Sequence, residues 1–113
     1  MAKKIAVVIR EDPRTTHRPV EALRIALGLV AGTHDTTVVL LNDAIRLLSE
    51  DLDEVVDMEI LEKYLPSIEH LEIPFILQSD ADRSLVQEQF AVQYQTADDI
   101  RRFLTEVDRT LVF

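Results

Sequence analysis

Short apolar runs alternate with amphipathic segments along this chain, and the first forty residues contain both. Residues 5–9 and 37–41 are runs of aliphatic and β-branched side chains without polar alternation, as in strands buried on both faces. Between them, apolar residues from Val20 to Val30 recur at spacings of three and four, which predicts a helix that begins at Pro19 and ends at Gly32. A strand, a helix and a second strand form the basic unit of a parallel sheet.

The rest of the chain continues this alternation. It predicts helices over residues 44–52, 58–71, 82–87 and 97–107, and strands over residues 73–77, 90–92 and 110–113. Just after the strand over 90–92, Gln93 and Gln95 alternate with Tyr94 as on the edge of a sheet. Asp43 and Thr96 are expected to cap the helices that follow them. Pro66 should kink or divide its helix, because proline removes a backbone donor and clashes with the preceding turn. Five strands with intervening helices predict one α/β domain over residues 1–113, built on a mainly parallel sheet.

Composition and charge narrow the classes of partner. The 113 residues carry 21 acidic and 12 basic side chains, a formal charge of −9. Nucleic acids and anionic membranes are therefore unfavourable partners, because binding them depends on lysine and arginine. No apolar run is long enough for a signal peptide or a membrane span, so we expect a cytoplasmic protein. The chain has no cysteine, which excludes a disulfide, a thiolate nucleophile and a cysteine-bound metal.

Polar residues follow the first three predicted strands, and ligand sites of parallel sheets lie beyond the carboxyl ends of the strands. The candidate pocket comprises Arg10, Arg14, His17, Arg18, Asn42, Asp43, Gln78, Ser79 and Asp80. The cationic residues of the loop over 10–18 could bind an anion near the start of the first helix. They could equally be solvated loop residues, since this loop lacks the glycines of a phosphate-binding turn. Asp43 could be an acid of the site or simply a helix cap.

Known catalytic and metal-binding patterns are absent from the sequence. Ser79, Asp80 and His17 are the only possible hydrolytic triad, and no Gly-x-Ser-x-Gly turn surrounds the serine. The three histidines lack metal-ligand spacing, and the acidic segment 50–54 lacks the glycine turn of a calcium loop. We therefore predict no metal and no cofactor.

Three segments in order resemble the DsrE/DsrF-like family of small proteins related to sulfur relay: Lys4-Ile5-Ala6-Val7-Val8-Ile9, Glu21-Ala22-Leu23-Arg24-Ile25-Ala26-Leu27 and Val38-Val39-Leu40-Leu41-Asn42-Asp43-Ala44. The resemblance implies a three-layer α/β/α sandwich around a five-stranded parallel sheet, often assembled into trimers or hexamers. It also implies that members carrying sulfur hold it as a persulfide on a cysteine at the end of the third strand. Here Gln78 or Ser79 lies nearest that position, and neither can hold a persulfide.

Three functions remain open. The chain could be a non-catalytic structural or regulatory subunit of an oligomer, alone or beside a cysteine-bearing paralogue, and this is the function we favour. It could instead bind a small anion or a nucleotide-like ligand through Arg10, His17, Asn42 and Gln78. It could also be an unrecognised enzyme, such as a hydrolase, that uses Asp43, Ser79 or His17. A homo-oligomer is expected, because the apolar content of 47% is high for a small domain and the relatives associate.

Overall fold

A five-stranded sheet with every neighbouring pair parallel forms the centre of the computed structural model, which describes residues 2–113. The strands are β1 (Lys4–Ile9), β2 (Asp35–Leu40), β3 (Phe75–Gln78), β4 (Val92–Gln95) and β5 (Arg109–Val112). The α-helices are α1 (Arg18–Ala31), α2 (Met58–His70) and α3 (Ala97–Glu106), and 3₁₀ helices span Asn42–Leu48 and Arg83–Leu85. The order across the sheet is β4-β3-β2-β1-β5, so β4 and β5 are the two edges.

Each face of the sheet has its own apolar core. On one face, α1 and α2 pack against the three central strands, with Leu23, Leu61, Val7, Val38 and Phe75 all fully buried. On the opposite face, Ile100 of α3 packs with the buried residues Val8, Val39 and Ile76. The three-layer α/β/α prediction is therefore confirmed. Burial on both faces explains why residues 5–9 of β1 and 38–40 of β2 are continuous apolar runs, since each large apolar side chain removed from water contributes about 1.5–3 kcal/mol.

Helix α1 begins and ends close to the predicted positions. Pro19 lies in its first turn, and Gly32 is its C-cap. The left-handed residue that closes the helix is not this glycine, however, but Thr33, with φ of 68°. The Thr33 N–H donates to the Val30 carbonyl and the His34 N–H to the Leu29 carbonyl, which are the two bonds of a Schellman motif.

One expectation about helices is wrong, and another is wrong in one of its two alternatives. Asp43 does not cap the segment after β2, because that segment is a 3₁₀ helix which begins at Asn42 with Leu41 as its N-cap. Asp43 lies inside its first turn instead. Pro66 was expected to kink or divide its helix, and division does not occur, because α2 continues through Pro66 to His70. Pro66 is exposed, so water can bond the carbonyl that loses its N–H partner.

The second half of the chain keeps the predicted order of elements with shifted bounds. The predicted strand over 90–92 is found at Val92–Gln95, at an edge as expected, while Phe90 packs edge-to-face on Phe75 with ring centroids 6.2 Å apart. The predicted short helix is reduced to the 3₁₀ turn Arg83–Leu85. Thr96 caps α3 as predicted, since its hydroxyl accepts the Asp99 N–H at 3.2 Å. Among the described residues, no helix is both long and apolar enough to cross a membrane.

Candidate functional site

The carboxyl ends of the strands bring most of the predicted pocket to one edge of the sheet. Arg10 directly follows β1, and Asn42 and Asp43 open the 3₁₀ helix just beyond β2. Gln78 is the last residue of β3, and Ser79 and Asp80 follow it. Since β3, β2 and β1 are neighbours in that order, the three groups lie in a row across the sheet.

A hydrogen bond between Gln78 and Asn42 connects two of the predicted residues across this row. The Asn42 N–H donates to Oε1 of Gln78 at 3.0 Å. Asn42 has φ of 53°, in the left-handed region that asparagine tolerates better than most residues, so the chain turns sharply where it leaves β2. The Gln78 side chain thus fastens this turn to the end of β3.

Ser79 lies on the other side of Gln78, at the ends of β3 and β4. Its backbone N–H donates to the Gln95 carbonyl at 2.9 Å, and its side chain is exposed, as is that of Asp80. His17 is the N-cap residue of α1, which leaves from β1, and it makes no side-chain capping bond. Strand β2 separates β1 from β3, which places these strand ends about 10 Å apart. The structure therefore shows no hydrogen-bonded triad of Ser79, Asp80 and His17 among the residues that it describes.

The arginines of the loop are engaged with carboxylates of the same chain. Arg14 donates hydrogen bonds to the Asp12 carboxylate from Nη2 at 2.8 Å and from Nε at 3.0 Å. Its Nη1 lies 3.9 Å from the Glu54 carboxylate. The hydrogen bond from Arg14 lowers the pKa of Asp12, and the same contact raises the pKa of Arg14. Arg18 pairs with Glu11 at 3.2 Å. The guanidinium of Arg18 also lies 6.0 Å from the centre of the Phe113 ring.

Beside this loop, the structure contains a small polar cleft that sequence patterns did not predict. Its volume is about 130 Å³, and it is lined by Arg14, Arg46, Ser49, Asp51, Glu54, Val55 and Leu85. Arg46 points its Nε toward Asp43 at 4.0 Å. Ser49 is buried, and its carbonyl accepts a hydrogen bond from the Gln87 side chain at 3.0 Å. Of the lining residues, Arg14 belongs to the pocket predicted from the sequence, and the i,i+3 spacing from Asp43 is the local signal that could have placed Arg46 there.

The acidic segment near the cleft gives no ligand set for a metal. Asp51, Asp53 and Glu54 are exposed, and the Asp53 N–H bonds Oδ1 of Asp51 as in an ordinary turn. Within residues 2–113, no group of three or more histidine, aspartate or glutamate side chains is arranged to hold a metal ion. What the strand ends present is a set of hydrogen bonds and ion pairs internal to the chain.

These features define a class of protein: a parallel α/β sandwich with a polar row at the strand ends and no nucleophilic sulfur. A sequence profile of the DsrE/DsrF-like family matches residues 3–113, and the chain belongs to that family. Among solved structures, a crystal structure of the ychN protein from E. coli is similar, with a TM-score of 0.70 and 18% sequence identity over 98% of this chain and 99% of that one. At this identity the likeness shows the fold. No curated protein matches the sequence at a significant level.

Proposed function

We propose that this chain is a non-catalytic subunit of an oligomer that takes part in intracellular sulfur relay, with a structural or regulatory role. The oligomer would be a trimer or hexamer of this chain, or a mixed assembly with a cysteine-bearing member of the family. One observation carries the proposal: the turn after β3, where sulfur-carrying members are expected to hold their cysteine, reads Gln78-Ser79-Asp80 in a chain without any cysteine.

Sulfur transfer by a persulfide requires a thiolate that attacks the donor sulfur and then holds the transferred atom. The Gln78 side chain is an amide that already accepts a backbone hydrogen bond. The Ser79 hydroxyl is a weak nucleophile, and no described side chain accepts a hydrogen bond from it to activate it. Any sulfur held by the assembly would therefore be held by another subunit.

The charges at the strand ends favour this role over binding of a small anion. Arg14 and Arg18 each pair with a carboxylate of the same chain, at 2.8 and 3.2 Å, whereas Nε of Arg46 is buried without a hydrogen-bond partner among the described residues and lies 4.0 Å from Asp43. An anion at Arg14 or Arg18 would have to replace those contacts, and the net charge of −9 would oppose its approach to any of the three. For this reason we do not advance the ligand-binding alternative as a second function.

Purification of the tagged chain from its native host, followed by native mass spectrometry, tests the proposal. We expect an oligomer that contains this chain, alone or in fixed ratio with a second DsrE/DsrF-like protein that has a cysteine. A monomer at micromolar concentration without such a partner would contradict the proposal. A thermal-shift screen against small anions and nucleotides serves as the comparison, and we expect no stabilisation that depends on Arg14 or Arg18.

A further inference from the structure

Strand β4 forms an open edge of the sheet, with β3 on one side only. The Phe75 N–H donates to the Ala91 carbonyl at 2.8 Å, and the Ser79 N–H donates to the Gln95 carbonyl at 2.9 Å. The backbone N–H and C=O groups of successive residues in a strand point to opposite sides, so those of residues 91, 93 and 95 point toward β3. The N–H and C=O groups of Val92 and Tyr94 therefore point to the open side.

The residues of β4 themselves lack the charges that usually protect a sheet edge from pairing with another chain. The charged group against the strand is the guanidinium of Arg83, which lies 4.0 Å from the centre of the Tyr94 ring, on a face of the sheet and not in the line of the edge. Natural proteins place lysine, proline or other charged residues on exposed edges. Residues 90–97 contain no charged residue and no proline, in a chain that is 29% charged. The opposite edge is different, because β5 begins with Arg109 and follows Asp108. Two copies of a chain with a charge of −9 repel each other, so their contact is favoured where the surface is uncharged.

We propose that β4 is a two-fold contact between two copies of this chain, in which the β4 strands pair antiparallel about Gln93 and join their sheets. The proposal rests on the proposed function, since it names the surface through which the oligomer forms. In this register Val92 lies opposite Tyr94 of the second copy, and the reverse pair is equivalent by symmetry. Both pairs exchange N–H and C=O groups, which gives four backbone hydrogen bonds between the copies.

The side chains of this register complement one another. Gln93 lies opposite Gln93 of the second copy, and an amide supplies both a donor and an acceptor, so two identical side chains can pair. The small Ala91 lies opposite Gln95, which leaves room for the longer residue. On the other face, Val92 and Tyr94 form a β-branched and aromatic cross-strand pair, a favourable combination. Beside the edge, a cleft of about 390 Å³ that includes Ile76 and Phe103 extends the apolar surface.

A charge-reversal pair tests the register directly. The Gln93 side chain is exposed, and its contact within the chain is a 3.4 Å hydrogen bond from Gln95, so replacing it should leave the fold intact. Gln93→Lys and Gln93→Glu each place like charges across the axis. Such juxtapositions cost several kcal/mol, so each variant should weaken association roughly a hundredfold. Mixing the two variants should restore it. Thr110→Lys, on the exposed face of β5, is the matched control and should associate as the wild type does.

Native mass spectrometry and sedimentation at micromolar concentration measure the mass of the oligomer, and circular dichroism verifies that each variant is folded. We expect an even-numbered wild-type oligomer whose mass falls by half in each Gln93 variant and returns in their equimolar mixture. A wild-type oligomer that is odd-numbered, or that both Gln93 variants leave unchanged, would overturn the β4 contact while leaving the proposed function standing. A monomeric wild type that also lacks a family partner would overturn both.

Discussion

The hydrogen bond between Gln78 and Asn42 leads to a prediction that separates a structural role of Gln78 from a chemical one. Gln78→Ala removes the acceptor at 3.0 Å from the Asn42 N–H and leaves the left-handed turn after β2 without its tie to β3. A neutral hydrogen bond contributes about 0.5–1.5 kcal/mol net. Asn42 is exposed, so water can replace part of the bond. We therefore expect a loss of about 1 kcal/mol in the free energy of unfolding.

Urea denaturation of the wild type and Gln78→Ala measures this loss. Gln89→Ala is the matched control, since this glutamine is exposed and lies outside the proposed β4 contact. It should change the free energy of unfolding by less than about 0.5 kcal/mol. Hydrogen exchange provides a local readout, because a loss of about 1 kcal/mol at the turn should speed exchange of the Asn42 amide roughly fivefold. Equal stability of the two variants, with unchanged exchange at Asn42, would refute the structural role.

Three further predictions concern single residues. Thr33→Gly should stabilise the protein by about 0.5–1 kcal/mol in thermal unfolding. A left-handed φ costs threonine about 1–2 kcal/mol, and the greater entropy of glycine in the unfolded chain offsets part of the stabilisation gained by removing that cost. An unchanged or lower melting temperature would contradict this prediction. Asp12→Asn should lower the free energy of unfolding at pH 7. The difference from the wild type should shrink as pH falls through 3.8 and below, because Arg14 lowers the pKa of the Asp12 carboxyl in the folded protein and protonation removes this stabilising contact. A difference that does not depend on pH would contradict a stabilising contact between Asp12 and Arg14. Thr96→Ala should lower the free energy of unfolding by about 1 kcal/mol, because it removes the hydroxyl that accepts the Asp99 N–H. Thr96→Ser keeps a hydroxyl and should retain most of this stabilisation.

Hydrophobic pattern predicted the strands because the sheet is buried on both faces. Residues 5–9 of β1 and 38–40 of β2 have neighbours above and below, so each of them is apolar and the runs are easily recognised. The segment after β2 was predicted as a helix over residues 44–52 because Ile45, Leu48 and Leu52 form one apolar stripe. The structure has a 3₁₀ helix over Asn42–Leu48 instead, and the three-residue spacing of Ile45 and Leu48 suits both helix types. Strand β4 was predicted too early in the chain because phenylalanine is common in strands, whereas Phe90 lies before β4 and packs on Phe75.

The candidate site was predictable only as far as the topology of the sheet determines it. Parallel strands bring their carboxyl ends to one edge, which is why Gln78 and Asn42 meet although 36 residues separate them. The partners of the loop arginines were not predictable in the same way. Glu54 reaches Arg14 from a segment without regular structure, where the Val56 N–H bonds the Pro13 carbonyl at 2.8 Å. No local sequence pattern encodes such a contact between two loops.

In the function that we propose, this chain assists sulfur relay without carrying sulfur. Labelled sulfane sulfur supplied to an assembly of this chain with a cysteine-bearing family member tests it most directly, with each subunit separated and counted. We predict that the label appears on the cysteine-bearing subunit alone and that the rate of its transfer falls when this chain is omitted. Label bound covalently to this chain, or a transfer rate that is the same with and without it, would overturn the proposed function.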